Sequence, residues 1–406
     1  MMKRVVITGI GIYSCLGNNL EEVSESLRTG KSGIGFLQSR KDMGYRSGLS
    51  GILEIPNLKG VIDRRARVSM PEQALYAYVS TQEALKNARL DLDFLEKNET
   101  GILFGNDSSA QPVIDAIDLI RAKKDTTLLG SGSVFQSMNS TVTMNLATLF
   151  KLKGINMTIS AACASGSHAI GLGAMFIRMG LQERVICGGA QEVNDMVYGS
   201  FDGIGAFSIN ESDPTKASRP FDKSRDGLVP SGGAATLVLE SYESAIKRGA
   251  PILAEVLGYG FSSNGDHIIV PSAEGPARSL AMALKESGIS AKDVDYINAH
   301  ATSTPVGDDA EARAIHSVFG ACNTPVSSTK SMTGHECWMA GASEVVYSML
   351  MMQNDFIAPN INFETPDEES AKLNIISKPV QQKIDIFASN SFGFGGTNST
   401  LVVKKH

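Results

Sequence analysis

The sequence predicts an α/β protein, a sheet covered by helices. Three observations predict it. Short β-branched runs alternate with longer stretches of helical periodicity along the whole chain, the pattern of strands that cross over through helices. Glycine is abundant, 40 of 406 residues against 14 prolines, as many tight strand-to-helix turns require. No charge run or low-complexity linker interrupts the chain.

The elements follow in order. VVITGI (5–10) reads as a buried strand, PEQALYAYVSTQEALKNA (71–88) as a helix, and TGILFG (100–105) and NMTISA (156–161) as strands. HAIGLGAMFIRMG (168–180) is helical, followed by the strands RVICGG (184–189) and ATLVLE (235–240). The helices GPARSLAMALKESG (275–288), DAEARAIHSVFG (309–320) and ASEVVYSMLMMQN (342–354) then alternate with the strands VDYINAH (294–300) and PVSST (325–329). DIFASNS (385–391) and STLVV (399–403) close the chain as strands. The softest boundary is KRGAPI (247–252), which divides 1–250 from 251–406. Each side carries strand–reactive residue–helix units and a Gly-rich strand end, TGIGIYSCLGNN and NSFGFGGTN, a weak internal likeness.

Composition excludes several classes. A net charge of −6 with 20% charged residues gives no global reason to expect nucleic acid. No run approaches the ~20 apolar residues of a membrane helix. MMKRVVITGIGIYSCLG imitates a signal peptide, but glycines interrupt its apolar run and no A-x-A-like site follows. The five cysteines are odd in number and free of C-x-x-C pairs, which fits a reducing cytoplasm better than a disulfide framework or a zinc site. TGIGIYSCLG gives only G-x-G-x-x-S, with Ser14 where a dinucleotide fingerprint needs glycine.

One thiol stands out. ISAACASGSHAIGLGA (159–174) surrounds Cys163 with small residues where a strand turns into a helix. NAHATSTPVGDDAEA (298–312) places His300 beyond the strand VDYINA, and SSTKSMTGH (327–335) places Lys330 and His335 beyond PVSS. NSFGFGGTN (390–398) ends a further strand in an aromatic–glycine turn. Ligands of open α/β sheets gather outside strand carboxyl ends, and all these groups lie at such ends.

Almost end to end, the chain closely resembles the β-ketoacyl-acyl-carrier-protein synthases of the thiolase-like superfamily, particularly the bacterial elongating type. SAACASGSHAI, H-x-TSTPVGD, KSMTGH, NSFGFGGTN and ASRPFDKSRDG (217–227) carry the resemblance. It implies a five-layered αβαβα fold built from two similar halves with mixed sheets. It implies Cys163 as nucleophile for an acyl group, with the backbone N–H groups of Cys163 and Phe394 as oxyanion hole and Phe392 beside them at the gate. Setting the thiol at a helix N-terminus favours the thiolate that attacks. By the same resemblance, His300 and His335 hold the enolate left when malonyl thioester loses CO2, and Lys330 supports them with Glu311 as its expected partner. Asp308 and Glu311 are supporting carboxylates, and Thr302 and Thr304 bind the phosphopantetheine arm.

No metal or redox cofactor is implied; the pantetheine arrives on the acyl carrier protein. An acidic carrier needs basic ground to dock on, and Arg64, Arg65 and Arg67 form one such cluster, Arg121, Lys123 and Lys124 another. A homodimer in the cytoplasm is expected, with no membrane or nucleic-acid partner. His267 is expected to be unengaged, and His168, His316 and His406 to serve packing or solvent. Ala301, Leu228, Trp338, Met339, Asp107 and Ser108 depart from the family pattern, so substrate class is less defined than reaction type. The same chemistry in a specialised polyketide or aryl-polyene-type pathway is the alternative. A thiolase would need a second catalytic cysteine in place of one histidine, and a chain-length partner subunit would lack Cys163.

Overall fold

The structure, a computed structural model, describes residues 2–320 and 322–406. Its first five major strands are β1 (Val5–Ser14), β2 (Gly101–Gly105), β3 (Asn156–Ile159), β4 (Arg184–Gln191) and β5 (Gly233–Ser241). The next five are β6 (Ala254–Ser263), β7 (Tyr296–Asn298), β8 (Pro325–Ser327), β9 (Ile386–Gly393) and β10 (Thr397–Lys405). The first set runs in the order β3-β2-β4-β5-β1 and the second β8-β7-β9-β10-β6. The pairings match as well. β2 is parallel to β3 and β4, as β7 is to β8 and β9. The remaining pairs in each set are antiparallel. The expectation of two similar mixed sheets therefore holds, with one addition. β1 and β6 pair antiparallel through Val6–Glu255 and Ile7–Ala254, which joins both sets into one eleven-stranded sheet with Asn374–Ile375 beyond β8.

Helices sort by position in the same way. α1 (Glu72–Asn87) covers β1 and β5 on one outer face, and α3 (Glu274–Ser287) covers β6 and β10 on the other. α4 (Pro305–Phe319) packs beside α3. Between the two runs of strands lie α2 (Ser165–Arg178) and α5 (Ala340–Gln353), packed against each other and against strands of both. This is the five-layered arrangement. α5 is buried along its length, which explains why its sequence reads as apolar all round.

Small residues allow the middle layer to close. A Cβ on Gly166 of α2 would meet the Ala342 nitrogen at 2.9 Å, and one on Gly341 of α5 would meet the Ser167 nitrogen at 2.5 Å. β6 was not anticipated, because Gly258 and Gly260 break its pattern. Side chains there would strike the carbonyls of Ala283 and Ser279 in α3, at 2.2 and 1.9 Å. The helices Leu20–Thr29 and Ala110–Lys123 are likewise additions. Among the described residues no helix is long and apolar enough to cross a membrane.

Candidate active site

The loop after β3 tightens into a single turn, Ala162–Ala164, before α2 begins at Ser165. Ala162 is forced to φ +47°, a costly conformation for a residue with a Cβ. Its N–H is held by Asp107 Oδ2 at 3.1 Å, and Asp107 also bonds Ser160. The turn sets the buried Cys163 thiol at the start of the helix, facing its own backbone N–H and that of Phe394. Burial nevertheless pushes the thiol up to about 11; Lys330 and those two N–H groups pull it down and Asp107 pushes it further up. The resting nucleophile is thus a neutral thiol. That corrects the expectation of a thiolate held by the helix end: desolvation outweighs the favourable charges.

His335 follows Gly334, whose φ of +70° turns the chain out of the short helix Lys330–Thr333. Its N–H bonds the Val229 carbonyl at 2.6 Å, and its Nε2 lies 3.0 Å from Cys163 Sγ. Its Nδ1 has no hydrogen-bond partner, so either tautomer is open and Nε2 can accept the thiol proton or donate to an oxygen. His300 meets His335 edge-on, ring centroids 5.3 Å apart. Lys330 Nζ lies 3.4 Å from His300 Nδ1. An ammonium only donates, so Nδ1 accepts and the proton of His300 sits on Nε2, facing the cavity. Burial, with Lys330 alongside, holds both imidazoles well below the usual histidine range, and His335 adds to the effect on His300. Both are neutral. The donor atoms of Cys163, His300 and His335 all lie within 4.8 Å of one another.

The lysine's partner is a correction. Lys330 pairs with Glu344 of α5, both side chains buried. Glu311 instead clamps the loop that carries His300. Its carboxylate accepts the N–H of His300 at 2.9 Å, that of Ala301 at 2.6 Å and the Asn390 amide at 3.0 Å. Asp308 is buried too, accepting the Phe221 N–H at 2.8 Å with Arg225 3.7 Å away. Burial pushes its carboxyl up to about 7, with Arg225 pulling against it. Neither carboxylate is an ordinary exposed group at a helix start.

Cys163, His300, His335 and Glu311 line a cavity of about 290 Å³. Thr302 and Thr304 line it, their hydroxyls 3.0 Å apart. Phe392 packs edge-on against His300, and Phe394, 39% exposed, stacks on Phe201. His267 lines the cavity, and its Nδ1 accepts the N–H groups of Ile269 and Val270 at 3.1 Å each, ordering its own loop. His168 contacts Tyr259 Oη and Thr397 Oγ1, as packing required. Arg64, Arg65, Arg121, Lys123 and Lys124 are exposed and Arg67 half-buried, and none of the six lines the cavity.

Comparison with known families decides what this constellation belongs to. Residues 2–245 match the beta-ketoacyl synthase N-terminal domain and residues 253–364 the C-terminal domain. The chain belongs to the beta-ketoacyl synthase family. It is 43% identical over the full length of both chains to the 3-oxoacyl-[acyl-carrier-protein] synthase 1 of Haemophilus influenzae. A beta-ketoacyl synthase structure from Burkholderia phymatum superposes with a TM-score of 0.94 at 34% identity, covering both chains entirely. The ketosynthase of a type II polyketide complex with its acyl-carrier protein, AntDE:AntF, gives 0.90 at 29%, again covering both entirely.

Within the family pattern the departures cluster around the nucleophile. Trp338 is buried against Phe201, and its Nε1 donates to Ser108 Oγ at 3.1 Å. Leu228 packs in the same apolar cluster as Cys163. Ala301, with its N–H on Glu311, is buried beside His300 and lines the cavity. Glu344 is the functional neighbour that sequence reasoning missed. Its signal was present, a single carboxylate in an otherwise uncharged, fully buried helix, since a buried charge needs a partner.

Proposed function

We propose that this chain is a 3-oxoacyl-[acyl-carrier-protein] synthase, joining a Cys163-bound acyl group to malonyl thioester with loss of CO2. The observation that carries the reading is the convergence of one thiol and two neutral imidazoles within 4.8 Å, all lining one cavity. In the first half-reaction Cys163 Sγ attacks the acyl thioester carbon, and the thiol proton, passed through His335 Nε2, leaves on the departing carrier thiol. In the second, the malonyl C–C bond breaks and its electron pair forms an enolate, whose oxygen takes hydrogen bonds from His300 and His335. The enolate carbon attacks the Cys163 acyl carbon. The N–H groups of Cys163 and Phe394 hold the oxyanion until Sγ is expelled, a stabilisation commonly worth ~3 kcal/mol per donor. The expelled Sγ takes one proton from solvent, passed through His335 Nε2, which replaces the proton lost with the first carrier thiol and regenerates the neutral thiol.

The loaded partners are acyl carrier proteins, as in the AntDE:AntF complex. Arg64, Arg65, Arg67, Arg121, Lys123 and Lys124 are the docking ground for their acidic surface, and the threonine pair receives the pantetheine arm. A homodimer is supported by β3. It ends the eleven-stranded sheet among the described residues, and Met157 on it is 48% exposed. Open strand edges of this kind call for a partner.

Mass spectrometry of the protein after incubation with an acyl thioester tests the assignment. Wild type should carry the acyl mass on Cys163 and Cys163→Ser should carry none. His300→Ala should still load but fail to release CO2 from malonyl-acyl carrier protein. An adduct on Cys15, Cys187, Cys322 or Cys337 in wild type would overturn the nucleophile.

A further inference from the structure

We propose that Trp338 sets the far limit of the acyl pocket by buttressing Phe201, and that Cys163 accordingly carries short acyl groups. The inference rests on the synthase reading and names the substrate class for that site. Among the residues lining the cavity are three aromatic rings, Tyr198, Phe201 and Phe207. Tyr198 and Phe207 share one packed cluster with Cys163 and Trp338, so the wall stands close to the nucleophile.

Phe201 is held by rings on several sides, of which only Trp338 lies outside the cavity lining. Phe201 has Phe207 stacked at 6.4 Å, Phe394 stacked at 6.0 Å and Trp338 tilted against it at 6.4 Å. Trp338 does not itself line the cavity and is only 8% exposed. Its indole is pinned by the Nε1 bond to Ser108, whose own hydroxyl donates to Glu192 Oε1 at 3.1 Å. Its backbone is pinned as well, because a Cβ on Gly189 would lie 2.7 Å from the Trp338 carbonyl oxygen. Tyr198 is fixed by its hydroxyl, 2.6 Å from the Ser231 carbonyl. On the Trp338 side the Phe201 ring cannot retreat when an acyl chain presses on it, since close-packed interiors yield little. The far end of the pocket is therefore a stop.

Trp338 is a positioning residue, and its signature is a change of length profile. Removing the indole leaves a void directly behind Phe201, into which that ring can swing or a chain extend. Cys163 loading is measured for wild type, Trp338→Ala, Trp338→Phe and Ser108→Ala with butanoyl, octanoyl and dodecanoyl pantetheine thioesters. Wild type should favour butanoyl. In Trp338→Ala the dodecanoyl-to-butanoyl ratio of kcat/KM should rise about tenfold or more, the scale on which pockets discriminate single methylenes. Trp338→Phe should fall between the two. Ser108→Ala keeps the ring's volume and should change the ratio less than about threefold. A wild type that loads dodecanoyl as well as butanoyl overturns the proposal. So does an unchanged ratio in Trp338→Ala, or in Trp338→Phe should the alanine variant fail to fold. Failure of the synthase reading looks different: no thioester of any length would label Cys163.

Discussion

Replacing Glu311 by glutamine tests how the His300 loop is held. The carboxylate is 2% exposed and accepts two consecutive backbone N–H groups and the Asn390 amide. Glutamine has the same shape but one acceptor oxygen, so either His300 or Ala301 keeps an N–H facing an NH2. Losing a hydrogen bond to a charged group costs ~1.5–3 kcal/mol, and a buried orphan donor ~1–3 kcal/mol. These overlap, giving about 2–4 kcal/mol. If the loop stays in place, that comes off stability. If it relaxes, His300 leaves the enolate position, and at ~1.4 kcal/mol per tenfold, decarboxylation falls by up to about 30- to 1,000-fold. His335 hangs from a different carbonyl, that of Val229, so Cys163 loading should hold within about threefold. CO2 release from malonyl-acyl carrier protein, acyl loading by mass spectrometry and thermal melting separate the cases. Loading that falls as steeply as decarboxylation would refute the division of labour between the two histidines. A variant unchanged in all three readouts would refute the clamp.

Two further outcomes follow from buried charge. Alkylation of Cys163 by iodoacetamide should climb about tenfold per pH unit from about pH 7 to pH 10 without a plateau, because the thiol is pushed up to about 11. Lys330→Met should slow it further, since the lysine lowers that value; a plateau near neutral pH would contradict both. Burial pushes Glu336 from 4.5 to about 7, against hydrogen bonds from Ser343 and Tyr347. Between those values the folded chain keeps a proton that the unfolded chain has released, so stability falls as pH rises through that window and stays lowered above it. Glu336→Gln removes this slope, and its melting temperature relative to wild type should be higher at pH 8 than at pH 5, by the equivalent of up to about 3 kcal/mol. An equal difference at both pH values would refute it.

Most of the reacting constellation was legible because its members lie just past strand ends, a placement that local sequence reveals. Cys163, His300 and His335 all line one cavity, and Lys330 stands behind His300 at 3.4 Å. What could not be read was reach across the layers. Glu311 is near Lys330 in sequence, yet it spends its oxygens on the His300 loop, while Glu344, one turn into α5, reaches the lysine. Which carboxylate pairs with a cation depends on how α5 packs between the strand sets, and no periodicity encodes that. The thiol's protonation was misread for a related reason. The helix end is visible in sequence, but the desolvation that outweighs it is a product of tertiary packing. β6 was lost because its glycines answer to α3 and not to strand propensity.

The repeated topology explains why the site is asymmetric and where Trp338 comes from. α2 follows β3 as α5 follows β8, and the two helices sit in equivalent places in the matching strand orders. Each is entered through a single tight turn, Ala162–Ala164 and Cys337–Met339. Each turn opens on a non-glycine residue with positive φ, +47° at Ala162 and +43° at Cys337. The same strained entry has thus been kept twice, and on this alignment Trp338 stands in the second unit where Cys163 stands in the first. The helices cross at Gly166 and Gly341, one residue past their starts, so the two turns face each other across the cavity floor. The second turn holds a thiol too, Cys337, but burial pushes it well above the usual thiol range and its Sγ donates to the His335 carbonyl at 3.6 Å, which leaves Cys163 as the nucleophile. The second turn is left to carry His335 just before it and bulk within it. Bulk at that point presses on the pocket of the opposite unit, which is why a substitution in the second half of the chain can limit what the cysteine of the first half carries.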